Sequence, residues 1–392
     1  MEDVVVLSGV RTPIGSFQGA LASMSAPQLG SAAIRAALDR ASVSGDAVDE
    51  VYMGNVLGAG LGQAPARQAS KGAGIPDSVP CTTINKVCGS GMKTVMLAAQ
   101  AIKLGDASLM VAGGMESMTN APYLLDKARD GYRMGNGVLI DSMIHDGLWD
   151  PYNNCHMGNC GDATATEFKF SREKLDEFAA ESYRRAMDAQ KACRYSEEIV
   201  PVEIPQRKGD PVRVELDEEP GRGKPEKLGE LRAAFAKDGV TTAGNASSLN
   251  DGGAAMVLCS ASYASANGLK PIGRIAGYAG HAQEPQWFTT APAFAIEKLL
   301  AKAGMKVGDI DLFEVNEAFA VVAMVVAQKV GIPHEKMNVN GGAVAIGHPI
   351  GMTGTRLVLT ALHELRRRGG RYAVCTPCIG GGEATAVLVE AL

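Results

Sequence analysis

The chain has 392 residues, 46% hydrophobic and 21% charged, a balance that excludes disorder and suits two or three domains at roughly 150 residues each. Its formal net charge is −5 with no long run of either sign, so the basic face that nucleic-acid binding needs is missing. Glycine is in excess at 47 residues, about 12% against an average near 7%. It falls in short clusters (GAGLG, CGSG, GGAVAIGHPIG, CIGGGE) rather than at a collagen period, which points to tight turns where backbone closely approaches something.

Met1 is followed by two acidic residues and VVVLSGV, which predicts a strand over Val4–Leu7 and no secretory leader. A helix is expected over Pro27–Arg40, with Ala33, Ile34, Ala37, Leu38 and Ala41 on one stripe. Cys88–Leu104 predicts a helix ending at Gly105, and Leu109–Ala112 a strand. Residues 119–248 differ in character, with a polar helix pattern at Ser171–Lys191 and a charged, Pro-rich stretch from Pro201 to Lys227. They read as an insertion, a lid or substrate-binding unit. Gly351–Arg368 predicts a helix with Val358, Ala361, Leu362 and Leu365 on one face, followed by strands at Tyr372–Cys375 and Ala384–Val389.

This alternation of strand and helix is an α/β pattern, and it occurs twice. Pro27 matches Pro292, Asn55 matches Asn316, Ile75-Pro76 matches Ile332-Pro333, and Gly91-Met92 matches Gly351-Met352, all about 260 residues apart, as duplicated halves would be. The expected division is 1–118 plus 249–270, the insertion 119–248, and 271–392. No run of about 18 apolar residues could span a membrane. Eight cysteines without a leader favour free thiols in a cytoplasmic protein. Cys375 and Cys378 form a lone CxxC with no second pair at zinc spacing, so no metal is expected.

Cys88, in NKVCGSGMK, falls at a predicted helix start, where free N–H groups and the helix dipole favour a thiolate. Gly89 and Gly91 would let a substrate approach the backbone. Read from this fragment alone, Cys88 is either a nucleophile or an inert buried thiol. His348 lies at the equivalent helix start of the second half, in GGAVAIGHPIGMTG, and could be the base for Cys88 or a structural histidine. Cys378 lies in TPCIGGGEA, where a strand runs into glycines whose N–H groups can face an oxyanion. Asn316, in FEVNEAFA, is a turn residue or an orienting amide.

Taken together and in this order, NKVCGSGMK, NEAF, NGGAVAIGHPIGMTG and CIGGG resemble the thiolase family. RTPIGSF, GQAPARQA and NASSLNDGGAA resemble it too, so the likeness runs nearly end to end. It implies a five-layer α-β-α-β-α core of duplicated α/β halves with an inserted loop domain. It also implies acetyl-CoA C-acetyltransferase chemistry: Cys88 carries an acyl group, His348 takes the thiol proton, and Cys378 deprotonates a second acetyl-CoA. Asn316 would hold a water with His348, and backbone N–H groups of Cys88 and Gly380 would form an oxyanion hole.

By the same resemblance Leu148, His156, Met157, Ala243, Ser247, Ala318 and Phe319 would line the pantetheine tunnel, with Met157 limiting acyl length. Arg222 or Lys224 would be candidates for a CoA phosphate. Coenzyme A would be substrate and product, with no cofactor, no nucleic-acid partner and no membrane, in a homodimer or homotetramer. The alternatives are a degradative 3-ketoacyl-CoA thiolase for longer chains, a ketoacyl-ACP synthase, a thiol hydrolase, and a non-catalytic thiolase-like lipid carrier. His156-Met157 argues against the first, Cys378 in place of a second histidine against the second, and retention of all three catalytic side chains against the last. Departures from the family pattern are Glu383, where many members carry a neutral residue, Cys81, and EPQWFTTAP at Glu284–Pro292.

Overall fold

The computed structural model describes residues 2–392. In chain order the first half comprises β1 (Val4–Arg11), α1 (Ala26–Ala41), β2 (Glu50–Gly54), α2 (Pro65–Gly72), β3 (Cys81–Ile84), α3 (Ser90–Leu104) and β4 (Leu109–Ser117). After it come two hairpins, β5 (Tyr123–Leu125) with β6 (Leu139–Asp141) and β7 (Trp149–Asp150) with β8 (Cys155–His156). Helices α4 (Met157–Glu167) and α5 (Arg172–Lys191) and the pair β9 (Val202–Ile204) and β10 (Val212–Val214) follow. The chain then returns as β11 (Asn250–Ser260) beside β4. The second half is β12 (Gly273–Ala282), α6 (Ala291–Ala303), β13 (Leu312–Val315), α7 (Ala320–Val330), α8 (Ile350–Arg368), β14 (Tyr372–Thr376), β15 (Cys378–Ile379) and β16 (Glu383–Ala391).

The two halves repeat one order of elements. Strands run β3-β2-β4-β11-β1 in the first and β13-β14-β16-β12 in the second, and the sheets meet where β1 pairs antiparallel with β12 at Val5↔Arg274 and Val6↔Gly273. The third strand of the second half is reduced to a single bridge, Phe313↔Met337. The four residue pairs that repeat in the sequence fall at equivalent places: in α1 and α6, after β2 and β13, after α2 and α7, and in α3 and α8.

Helices α1 and α2 cover one outer face and α6 the other, while α3 and α8 pack against each other and against strands of both halves. These are five layers, α-β-α-β-α. The middle position explains why α8 is buried almost all round, fifteen of nineteen residues, and not along the single stripe read from the sequence. Strands β4 and β11, enclosed on both faces, are buried at every residue, as their continuous apolar runs require.

The glycines at this crossing make contact with protein. A methyl at Gly114 would strike the carbonyl oxygen of Gly351, and one at Gly91 would lie 2.9 Å from that same oxygen. Gly89 likewise faces the side chain of Ile379. The expectation that Gly89 and Gly91 admit substrate is therefore corrected: they admit α8 and the β15 loop, because two helix ends and two sheets converge there.

RTPIGSF anchors the segment between the halves. Arg11 is fully buried and makes a bidentate pair with Asp217 (2.6 and 2.9 Å) and a bond from Nε to Glu198 (2.7 Å). Removing one partner of such a buried network typically costs about 3–5 kcal/mol, because it strands a charge in the interior. Among the described residues no helix is long and apolar enough to cross a membrane.

Candidate active site

A cavity of about 380 Å³ opens where α3 and α8 begin, walled by the segment between the halves. Cys88, His348 and Gly380 line it, as do all seven residues assigned to the tunnel: Leu148, His156, Met157, Ala243, Ser247, Ala318 and Phe319. Asn316 and Cys378 are fully buried and outside the lining, Asn316 in contact with His348 and Cys378 close enough to Cys88 to feel its charge. Arg222 and Lys224 lie on the exposed surface, outside the cavity lining.

Cys88 sits one residue before the N-cap of α3, Gly89, on a sharp elbow. Val87, a β-branched residue, is held at φ 46°, a conformation such a side chain adopts only under constraint. The constraint comes from the Val87 N–H donating to Asn85 Oδ1 (3.0 Å) and the Gly89 N–H donating to the Lys86 carbonyl (3.0 Å). The helix dipole does not leave a resting thiolate. Burial pushes the Cys88 thiol up to about 11, against the lowering pull of the Gly380 and Cys88 N–H groups. Free enzyme should therefore show Cys88 alkylation by iodoacetamide that climbs with pH past the ordinary thiol value of 9.0 without a plateau. Rates measured across pH check this, and a plateau near neutrality would contradict it.

His348 immediately precedes the cap of α8, Pro349, and its N–H donates to Asn250 Oδ1 (2.8 Å). Its Nδ1 lies 2.7 Å from Thr353 Oγ1, and the Thr353 hydroxyl donates to the Pro349 carbonyl (2.9 Å). Assigning that hydroxyl proton to the Pro349 carbonyl puts the ring proton on Nδ1 and leaves the basic lone pair on Nε2. Asn316 Nδ2 donates to Nε2 at 3.2 Å, while Asn316 Oδ1 is buried with no partner among the described residues. Burial, reinforced by Arg356, lowers the imidazole to about 3, so His348 rests neutral.

Cys378 lies on β15, paired with Ala384 of β16. Burial first, and then the charge of Cys88, raise its thiol well above the usual range. The two sulfurs are therefore electrostatically coupled across the joint between the halves. Such a pair resists holding two thiolates at once.

The rest of the cavity is an apolar sleeve. Phe235 stacks on His156 at 4.6 Å and meets the edge of Phe319 at 6.0 Å, with Phe288 beyond. His156 caps α4, its Nδ1 accepting the Gly158 N–H at 3.1 Å, so the neutral ring keeps its proton on Nε2. Ser247 donates to the Ala318 carbonyl from both its N–H and its hydroxyl, at 3.0 Å each, tying the sleeve to the second half.

Phe235, Thr353 and Asn250 were not among the residues singled out from the sequence. Nothing in RAAFAKDG marks an aromatic wall, and Thr353 matters only through a turn of helix. Glu116 was missed as well. Its buried carboxylate accepts N–H groups from Val56, Leu57 and Gly351, fixing the first turn of α8, and burial raises it to about 7.

One further cluster, Asp150, Cys155 and Cys160, brings three possible ligand atoms within 4.8 Å. Asp150 there caps its own turn, accepting the N–H groups of Tyr152 (2.8 Å) and Asn153 (3.2 Å).

A duplicated five-layer core with a thiol at one helix entry and a histidine at the other defines a thiolase-type site. The family models agree: "Thiolase, N-terminal domain" matches residues 4–262 and "Thiolase, C-terminal domain" residues 269–391. The chain belongs to the thiolase family. It is 52% identical to acetyl-CoA acetyltransferase 2 of Arabidopsis thaliana, over 100% of this chain and 97% of that one. It is 51% identical to the acetyl-CoA acetyltransferase of Cupriavidus necator, over the full length of both. The crystal structure of Acat5 thiolase from Ascaris suum in complex with coenzyme A superimposes with a TM-score of 0.95 at 43% identity, covering 100% of each chain.

Proposed function

We propose that this protein is an acetyl-CoA C-acetyltransferase, joining two acetyl-CoA reversibly into acetoacetyl-CoA and CoA through an acyl-enzyme on Cys88. The observation that carries the reading is the convergence, at one apolar cavity, of a thiol on a strained elbow, a neutral imidazole with a basic Nε2, and a second thiol coupled to the first.

In the first step His348 Nε2 takes the Cys88 proton as the sulfur attacks the thioester carbonyl. The oxyanion forms against the N–H groups of Cys88 and Gly380. Collapse expels CoA, which takes its proton from Cys378. Cys88 is now a neutral thioester, so the charge that opposed a Cys378 thiolate is gone. Cys378 then removes a proton from the methyl group of the second acetyl-CoA, and the enolate oxygen is held by protonated His348 and Asn316, directly or through a water. The carbanion attacks the acyl carbon, and Cys88 leaves with the proton from His348. All three groups return to their resting state.

Met157 supports the short-chain form of this reading, because its Cε lies 3.5 Å from where a Cβ at Gly380 would sit, crowding the acyl group at the oxyanion hole. The assay is thiolysis of acetoacetyl-CoA against a 3-ketoacyl-CoA of about eight carbons. A wall contact of this kind is worth about 1–3 kcal/mol, so wild type should prefer the short substrate by at least about tenfold, and Met157→Ala should narrow that preference. Preference for the long substrate supports the degradative thiolase instead, and turnover of neither supports a carrier.

Coenzyme A is substrate and product here, and the chemistry calls for no cofactor or metal. The residues 1–118 with 249–270 and 271–392 act as the two catalytic halves, and 119–248 as the CoA-facing unit. The β5–β6 hairpin exposes Tyr123, Leu125, Val138 and Leu139, and β3 leaves the outer edge of the sheet unpaired, which supports a homodimer or homotetramer. Eight free cysteines support a cytoplasmic setting.

A further inference from the structure

The two N–H groups of the oxyanion hole belong to different halves. Cys88 sits on a tight unit: Lys86 N–H donates to Ser90 Oγ (2.8 Å), Ser90 N–H to the Val87 carbonyl (3.0 Å), and Val87 holds its left-handed φ. Gly380 sits on another, in which Ile379 pairs with Glu383, Gly381 and Gly382 both have φ 87°, and Gln283 N–H donates to the Gly382 carbonyl (2.9 Å). Each unit is internally fixed, so their mutual distance has to be set by contacts between them. Some are close packing, Ile379 against Gly89 and Val87 against Gly380, and the Gly380 N–H itself reaches the Cys88 sulfur. A charged contact is added by the ion pair between Lys86 and Glu383, 297 residues apart in sequence.

We propose that the Lys86–Glu383 pair is a latch that sets the spacing of the Cys88 and Gly380 N–H groups, making both side chains positioning residues for Cys88 acylation. This rests on the assignment of Cys88 as nucleophile. The two side chains are 26% and 39% exposed, so the pair adds little to folding stability. Its leverage is geometric, because oxyanion donors act only within a few tenths of an ångström of their working position. It also gives a use to Glu383, one of the departures from the family pattern.

The test is single-turnover acylation of Cys88 by acetyl-CoA. Lys86→Met and Glu383→Gln should each slow it about three- to tenfold, a fraction of the 10²–10³-fold cost of losing an oxyanion donor. The double variant should be no slower than either single one, and Lys86→Glu combined with Glu383→Lys should recover most of the rate. KM for acetyl-CoA and the unfolding midpoint should stay unchanged. Raising salt to about 1 M, where screening acts over about 3 Å, should slow wild type and spare the double variant. Equal acylation rates in all forms, or losses that multiply in the double variant, overturn the latch alone. Wild-type labelling that survives Cys88→Ser overturns the nucleophile assignment and the latch together.

Discussion

Replacing Cys88 by Ser should abolish the acyl-enzyme and lower turnover by at least about 10⁴-fold, the scale seen when a nucleophile acting with its base is removed. The substitution keeps the elbow, since its shape comes from Val87, Asn85 and Gly89 rather than from the sulfur. It replaces a thiol at about 11 with an alcohol several units weaker as an acid, facing an imidazole lowered to about 3. That base has little to give a still less acidic partner. Radiolabelled acetyl-CoA, quenched and denatured, measures the result as protein-bound label. Label retained at the wild-type level would mean that another side chain is acylated.

Cys378→Ala should produce the complementary phenotype: Cys88 is still labelled, with water protonating the departing CoA in place of Cys378, and condensation is slowed by at least about 10³-fold, the range for loss of a general base acting on carbon. The side chain is buried and its removal leaves β15 and β16 paired through the backbone, so the cavity should keep its form. The order of ionisation adds a second expectation. Cys378 stays protonated while Cys88 ionises, so Cys88 in the variant should alkylate with the wild-type pH dependence. Label counting together with acetoacetyl-CoA formation separates the two steps, and loss of labelling in Cys378→Ala would remove the division of labour between the thiols.

The positions proposed as catalytic stand out in the sequence because each lies in a contiguous signature: Cys88 in NKVCGSGMK, His348 in AIGHPIG, Cys378 in PCIGGGE. The duplication was legible for a related reason, since proline and glycine mark helix ends at a nearly constant offset. What escaped the sequence depends on distance in the chain. Asn250 fixes His348 from 98 residues away, and Phe235 meets His156 only because a loop folds back over α4. The protonation of Cys88 escaped for another reason. Position at a helix start is visible in sequence, but the burial that outweighs it comes from Gly380 and the sleeve, which are brought there by the fold. Close approach is legible at Gly89 and Gly91 but its partner, the other half of the protein, is not, and Gly58, Gly60 and Gly62 of GAGLG stand clear of any tight contact.

The joint between β1 and β12 is short, and the groups proposed to react stand on opposite sides of it. Cys88 comes from the first repeat; His348, Asn316, Cys378 and Gly380 come from the second. Neither repeat, however well folded, holds a complete set of reacting groups. On the proposed reading, catalysis in this chain depends on the docking of its two halves across the shared layer of α3 and α8.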